Sequence, residues 1–373
     1  MKIGIVTFWW SENNYGQILQ CYALQEYLRD AGHDAYLIRY DPGRDGTRYL
    51  LSRFMMVFNP VKLFAFIRIK ARYFLTKREQ MMYNRKFEYF RSKHMSYSEK
   101  VYFSFKELKK DPPEADVYIV GSDQVWSIPA SSSIQVYFLN FGDRNIKRIS
   151  YAASFGTDEP VDGFVQKITP LLRNFNFVSV REKSGLAICK KCGIDNAEWV
   201  PDPTILLDIN KYRELYMNEQ IRKPGKPYCF LYYLGNQCDF SIQNIYDWAS
   251  QRGLEVVYVT GNSQHDNFEK NYATIPEWIY LLEYAEYVIT NSYHCAIFSI
   301  LFQKQFAVIP LTRKDTSKNT RLDSLFELFE MNSRYIDIGF SVIDELIDWR
   351  RVSDGIENLK QICKLNSVIH ELH

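Results

Sequence analysis

The run Asn291-Ser292-Tyr293-His294 places an amide, two hydroxyls and an imidazole on consecutive residues. The ordinary pKa of histidine lies close to neutrality, so His294 is equipped to give or take a proton at physiological pH. Asn291 and Ser292 are turn and helix-capping residue types. Residues 287–290 before them are a short run rich in β-branched side chains, 296–302 after them have helical apolar spacing, and 306–309 read as another buried strand. The pattern predicts strand, turn, helix, strand, with His294 in the first turn of a helix that starts at the carboxyl end of a strand. Open α/β sheets bind ligands at that edge, where free N–H groups and the helix dipole favour an anion and the neutral imidazole. The alternative is a histidine that only packs or caps.

Other polar groups fall at predicted strand ends in the same way. Residues 3–8 read as a buried strand, 16–30 as a helix stopped by Gly32, and 35–40 as a second strand, a βαβ opening. Its loop, WWSENNYGQ, lacks a GxGxxG fingerprint for a dinucleotide. Asn13, Asn14, Tyr15 and Gly16 sit where that first helix begins, suited to a polar or anionic ligand or to simple capping. Strand 116–121 is followed by Ser122-Asp123-Gln124, strand 148–156 leaves Ser154 and Gly156, and 177–182 ends on Arg181 and Glu182. Together these form one rim of a ligand cleft.

To hold such a rim the chain needs two sheets. The proline-punctuated connector 199–208 reads as the division between them. Beyond it come strands at 229–235 and 255–261, helices near 240–252 and 276–285, the His294 stretch, a helix over 320–331 and helical residues 342–372. The expected architecture is α/β, two Rossmann-like domains facing a central cleft in a GT-B-like arrangement. The first spans 1–205 with a basic helical insert over 43–110, and the second spans 206–341. The last helix, 342–373, packs back toward the first domain.

Composition narrows the function classes. A net charge of +2 over 373 residues does not mark a general nucleic-acid binder. Residues 43–110, however, hold 17 Lys or Arg against five acidic residues. Their interleaved Phe, Leu and Ile predict amphipathic helices, another across 77–93, and either a peripheral membrane contact or a solvated basic face. No apolar run is long enough for a membrane span, and seven scattered cysteines fit a reduced, cytoplasmic compartment. Cys189-x-x-Cys192 has no second pair at zinc spacing, so no metal site is expected.

Taken together, the segments NYGQILQCYALQ (14–25), VGSDQVW (120–126), YAASFG (151–156), VREKSG (180–185), VPDPTILL (200–207), VITNSYHCAIFSILFQKQFAVI (288–309) and NTRLDSL (319–325) resemble the polysaccharide pyruvyl transferase family. The resemblance implies phosphoenolpyruvate as co-substrate, no cofactor, and a pyruvate ketal built on a glycan or lipid-linked sugar acceptor. It makes His294 the acid or base. Asn291, Ser292, Arg181 and Arg321 would bind the donor, with Arg313 and Lys314 as weaker candidates. Asn14, Gln17, Ser122, Asp123 and Gln124 would bind the acceptor. One departure stands out: many family members carry Arg-x-His where this chain has Ser292-Tyr293-His294, so a serine replaces a cation that helps hold the donor. A nucleotide-sugar glycosyltransferase and a non-catalytic glycan-binding relative are the competing expectations.

Overall fold

A computed structural model describes residues 1–41, 83–127, 134–235, 240–261, 266–311, 319–337, 339–363 and 365–371. The first sheet contains β1 (Lys2–Val6), β2 (Asp34–Tyr40), β3 (Tyr97–Tyr102), β4 (Val117–Val120), β5 (Lys147–Ala153), β6 (Phe177–Val180) and β7 (Glu198–Trp199). All its pairings are parallel, in the order β3-β2-β1-β4-β5-β6-β7. The second sheet, also parallel, contains β8 (Tyr228–Tyr233), β9 (Glu255–Thr260), β10 (Tyr287–Thr290) and β11 (Gln305–Val308), in the order β11-β10-β8-β9. Central strands such as IGIV, VYIV and CFLYY are buried on both faces, which is why they read as continuous apolar runs rather than alternating ones. Two Rossmann-like halves in this arrangement make the fold GT-B-like.

Each sheet reverses its winding direction once, between β1 and β4 in the first and between β8 and β10 in the second. At such a switch point the flanking loops part and leave a crevice at the carboxyl ends. One apolar core runs through both halves, joining Ile3, Ile5 and Leu19 to Phe230, Trp278 and Phe298. The first sheet ends at Trp199 and the second begins at Tyr228. Helix Trp349–Ile362 meets the second half through Arg351–Glu330 and Gln303–Ser353, and the final helix, Leu365–Glu371, returns to the first half: Asn366 donates to the Tyr27 hydroxyl at 3.3 Å, and Ile369 is buried in the core shared with Ile3.

The helical insert over 43–110 needs correction. Residues 42–82 lie outside the described residues, but Tyr97–Tyr102 is the edge strand of the main sheet, not helix. Its sequence, YSEKVY, keeps Glu99 and Lys100 exposed, as an edge strand requires, and that polarity hides it from an apolar-run search. The helix expected across 77–93 is described only as Phe87–His94. Among the described residues no helix is long and apolar enough to cross a membrane.

Candidate active site

Both switch points deliver their loops to one place. On the first half, Asn14 caps the Tyr15–Asp30 helix by accepting from Gln17 N at 3.2 Å. Gln17 Nε2 then donates to Asp123 Oδ2 at 3.2 Å. On the second half, Ser292 caps the Tyr293–Leu301 helix, accepting from Cys295 N at 3.4 Å, so His294 lies in the first turn. The helix starts meet face to face. A Cβ on Gly16 would lie 2.4 Å from His294 Cβ and 2.6 Å from its Nδ1, so only glycine lets the imidazole seat there.

The chain after β4 is shaped with similar economy. Gly121 has φ +120, and a Cβ on it would strike the Tyr151 carbonyl oxygen at 2.0 Å. Asp123 follows with φ +71, a left-handed conformation that costs a non-glycine residue of order 1 kcal/mol or more. That turn aims the Asp123 carboxylate at Gln17 and, at 3.6 Å, at Arg181 Nη2.

Asp202 is the hub. Fully buried, it caps the short Pro203–Leu206 helix, its Oδ1 accepting from Thr204 N at 3.1 Å and Thr204 Oγ1 at 2.8 Å. Its Oδ2 accepts from Arg181 Nη1 at 3.0 Å and lies 3.0 Å from Ser122 Oγ and 3.5 Å from His294 Nε2. His294 Nε2 is in turn 3.4 Å from Arg181 Nη1. Ser122 Oγ is also 3.0 Å from Gln20 Oε1, so its single proton serves one of the two oxygens at a time. Burial alone would raise the Asp202 carboxyl pKa, but His294 and Arg181 more than offset it and hold the group well below the ordinary carboxylate range. For Arg181, burial pulls the pKa down, but Asp202, Tyr293 and Asp123 outweigh it and hold the guanidinium above the usual arginine value.

Arg321 is a different kind of cation. It enters from the start of the Thr320–Leu328 helix and is partly buried. With the Gln124 amide turned so that its oxygen faces the guanidinium, that oxygen accepts from Arg321 Nη1 at 2.7 Å and Nη2 at 3.0 Å. No carboxylate lies within 4.0 Å of Arg321 among the described residues. Burial, and after it the like charge of Arg181, lower its pKa below the usual arginine value. The Tyr293 ring lies between the two guanidiniums, 4.6 Å from Arg181 Cζ and 5.9 Å from Arg321 Cζ. Both cations therefore border the Ser292-Tyr293-His294 triplet itself.

Of the residues singled out from the sequence, His294, Arg181, Arg321, Ser122, Asp123, Gln124 and Gln17 converge through these contacts. Asn291 is occupied elsewhere: its amide bonds both ways to the Leu234 backbone, at 2.8 and 2.6 Å, locking the β8 and β10 loops together. Asn14 is spent as a cap, while Arg313 and Lys314 lie outside the described residues. Asp202 and Gln20 are the additions, and Gly16 and Tyr293 gain specific roles as the seat of the imidazole and the ring beside the two arginines. The available signal for Asp202 was an aspartate directly before a proline that opens a helix, within 200–207. No cluster of three His, Cys, Asp or Glu among the described residues is arranged to hold a metal. Cys189 and Cys192 are buried thiols pushed up in pKa by burial, Cys189 to about 12, and neither is poised to react.

Solved structures similar over most of the chain include a UDP-GlcNAc 2-epimerase from Neisseria meningitidis bound to UDP-GlcNAc. It is 10% identical, covers 100% of this chain and 99% of its own, and has a TM-score of 0.47. A putative UDP-N-acetylglucosamine 2-epimerase from Listeria monocytogenes is 10% identical over 97% and 90%, with a TM-score of 0.49. The glycosyltransferase SsfS6 from Streptomyces sp. SF2575 is 10% identical over 97% and 95%, with a TM-score of 0.39. No curated protein matches the chain. The family model for polysaccharide pyruvyl transferase matches residues 14–312.

Proposed function

The chain belongs to the polysaccharide pyruvyl transferase family, and from that premise we propose that it transfers pyruvate from phosphoenolpyruvate to two hydroxyls of a sugar, forming a ketal in a cell-surface glycan or its precursor. The acceptor is a glycan or a lipid-linked sugar, and no nucleic acid is involved. The work is done at the cytoplasmic membrane face, with the basic segment 43–110 approaching anionic headgroups. The observation that carries this reading is the pairing of His294, braced by Asp202 and Arg181, with Arg321, which among the described residues has no carboxylate within 4.0 Å.

In this mechanism Arg321, steadied by Gln124, takes a donor anion and supplies the positive charge that Ser292 lacks. The roles expected of the two arginines are thereby redistributed. Arg181 already has Asp202 and Asp123 as partners, so it orients the site more than it binds the donor. His294 protonates the enol methylene, which leaves C2 electrophilic. One acceptor hydroxyl adds to C2 and returns its proton to His294. A second hydroxyl then displaces inorganic phosphate and closes the ketal. Gln17 and Asp123 line the acceptor side, while the buried Ser122 hydroxyl, expected there too, holds Asp202 and Gln20 instead.

The test follows phosphate release from phosphoenolpyruvate in the presence of lipid-linked or nucleotide-linked sugars, with the glycan product weighed. The expected result is one phosphate per ketal and loss of both in His294→Ala. Release of phosphate without ketal, or full activity in His294→Ala, overturns the mechanism. Turnover of a nucleotide-sugar instead of phosphoenolpyruvate would make the protein a glycosyltransferase.

A further inference from the structure

Arg85 stands outside the machinery described above. It is only 6% exposed, belongs to the first half, and reaches across the seam between the halves. Its Nη2 donates to the Thr260 carbonyl at the end of β9, at 3.1 Å. Its guanidinium lies 4.9 Å from the Tyr272 ring centroid, and that ring stacks on Tyr83 at 4.1 Å with an interplanar angle of 4°. Nε is sealed from solvent without a hydrogen-bond partner, and Nη1 bonds to none of the described residues. Among the described residues no carboxylate lies within 4.0 Å of it.

Donors gather around this group. The Tyr232 hydroxyl, near the end of β8, is buried without a hydrogen-bond partner, while the Tyr15 hydroxyl donates to the Ala273 carbonyl at 2.6 Å. Arg85 is close enough for its charge to act on both phenols. Gly261 closes one side: a Cβ there would meet Leu234 Cδ2 at 2.3 Å and the Asn13 carbonyl oxygen at 3.1 Å. A buried cation without a counter-charge is unfavourable, and such groups concentrate where a ligand supplies the missing charge.

We propose that Arg85 is an anion subsite at the seam between the halves, separate from the donor position at Arg321, and that it takes the diphosphate through which an acceptor sugar is carried. The assignment to an acceptor rests on the pyruvyl-transfer reading; the anion subsite itself does not. A neutral sugar offers nothing to a guanidinium, whereas a sugar diphosphate offers oxygens matched to its planar fork. A nucleoside and an isoprenoid carrier present the same diphosphate.

The test is calorimetric titration of the full chain with inorganic pyrophosphate, for wild type, Arg85→Gln, Arg321→Gln and the double variant. Arg85→Gln should weaken binding by roughly tenfold or more, and should do so equally in an Arg321→Gln background, where the donor position no longer competes for the anion. Removing the uncompensated charge should also leave the Tm of the ligand-free protein unchanged or raised. Equal pyrophosphate affinity in wild type and Arg85→Gln overturns the subsite, and a lowered Tm alongside it makes Arg85 a structural contact of the seam. Loss of binding in Arg321→Gln instead puts pyrophosphate in the donor pocket and overturns the inference equally. A UDP-sugar and a short isoprenoid diphosphate sugar then separate the carriers: dependence on Arg85 for one alone identifies it, and dependence for neither overturns the acceptor assignment. Failure of pyruvyl transfer to every acceptor would sink the functional reading and leave Arg85-dependent pyrophosphate binding standing.

Discussion

Two corners of the cleft, sharing the Tyr293 ring, handle charge in opposite ways. At the Asp202 corner each charge has an opposite neighbour: Arg181 is flanked by Asp202 and Asp123, and Asp202 also accepts from Thr204. At the Arg321 corner a guanidinium meets an amide oxygen, a ring face and another cation. The first corner pairs its charges without substrate and holds His294 in place, although Arg181 Nε and Nη2 are left without hydrogen-bond partners. At the second, Glu182 and Asp123 act on Arg321 from beyond 4.0 Å, and among the described residues no carboxylate meets it at contact distance, so an arriving anion fills that position. A rigid, self-neutralised brace beside an uncompensated cation is what directional chemistry on an anionic donor requires.

The largest effect expected from breaking this contrast is at Asp202. Asp202→Ala strands the buried Arg181 charge and uncaps the Pro203–Leu206 helix. A loss of about 3–5 kcal/mol in unfolding free energy follows from breaking a buried pair from one side. Chemical denaturation measures it, and phosphate release should fall with it by about a hundredfold as His294 loses its brace. A variant as stable as wild type would mean that Asp202 is not the hub of its corner.

Arg321→Gln should behave in the reverse sense. Stability stays level or rises, because burial and Arg181 both act against this charge. The cost falls on the donor: removing a charged hydrogen-bonding partner is worth about 1.5–3 kcal/mol, or roughly 10–100-fold in phosphoenolpyruvate affinity. Titration calorimetry with phosphoenolpyruvate, alongside a melting curve, reads both signs. A variant that melts earlier and binds phosphoenolpyruvate normally would make the two corners alike.

The same contrast explains what was legible in the sequence. Buried parallel strands announce themselves as apolar runs, and the polar residues placed directly after them, Ser122, Asp123, Arg181 and His294, inherit their location from topology. Edge strand Tyr97–Tyr102 does not, because its exposed Glu99 and Lys100 carry no apolar pattern. Asn291 has a polar side chain at the right strand end, yet its partner is the backbone of Leu234, 57 residues earlier. Asp202 sits in a segment that reads as a proline-rich connector, and its role depends on the loops after β4 and β6 and on the second half's His294 meeting over it. Local pattern finds the residues that face the cleft. It does not find the one that several distant elements share.

The smallest expected effect, and the sharpest separation of the corners, is in their pH dependence. Despite the upward push of burial, His294 and Arg181 hold the folded-state pKa of Asp202 below its unfolded value, so the unfolded chain binds a proton first on acidification. The stabilisation is fully present above the unfolded carboxyl pKa, near about 3.9, and is lost as pH falls through the folded pKa. The slope is at most about 1.4 kcal/mol per pH unit for one group. Arg321 carries no such dependence, since an arginine stays charged across this range. Unfolding free energies of wild type and Asp202→Asn, compared at pH 6, 5, 4 and 3, cancel the other carboxylates. Their difference should narrow from pH 4 toward pH 3, and by more than the difference between wild type and Arg321→Gln changes over the same step. A wild-type advantage over Asp202→Asn that persists undiminished at pH 3 would mean that Asp202 stabilises the fold by packing and capping, not as the charged partner of Arg181 and His294.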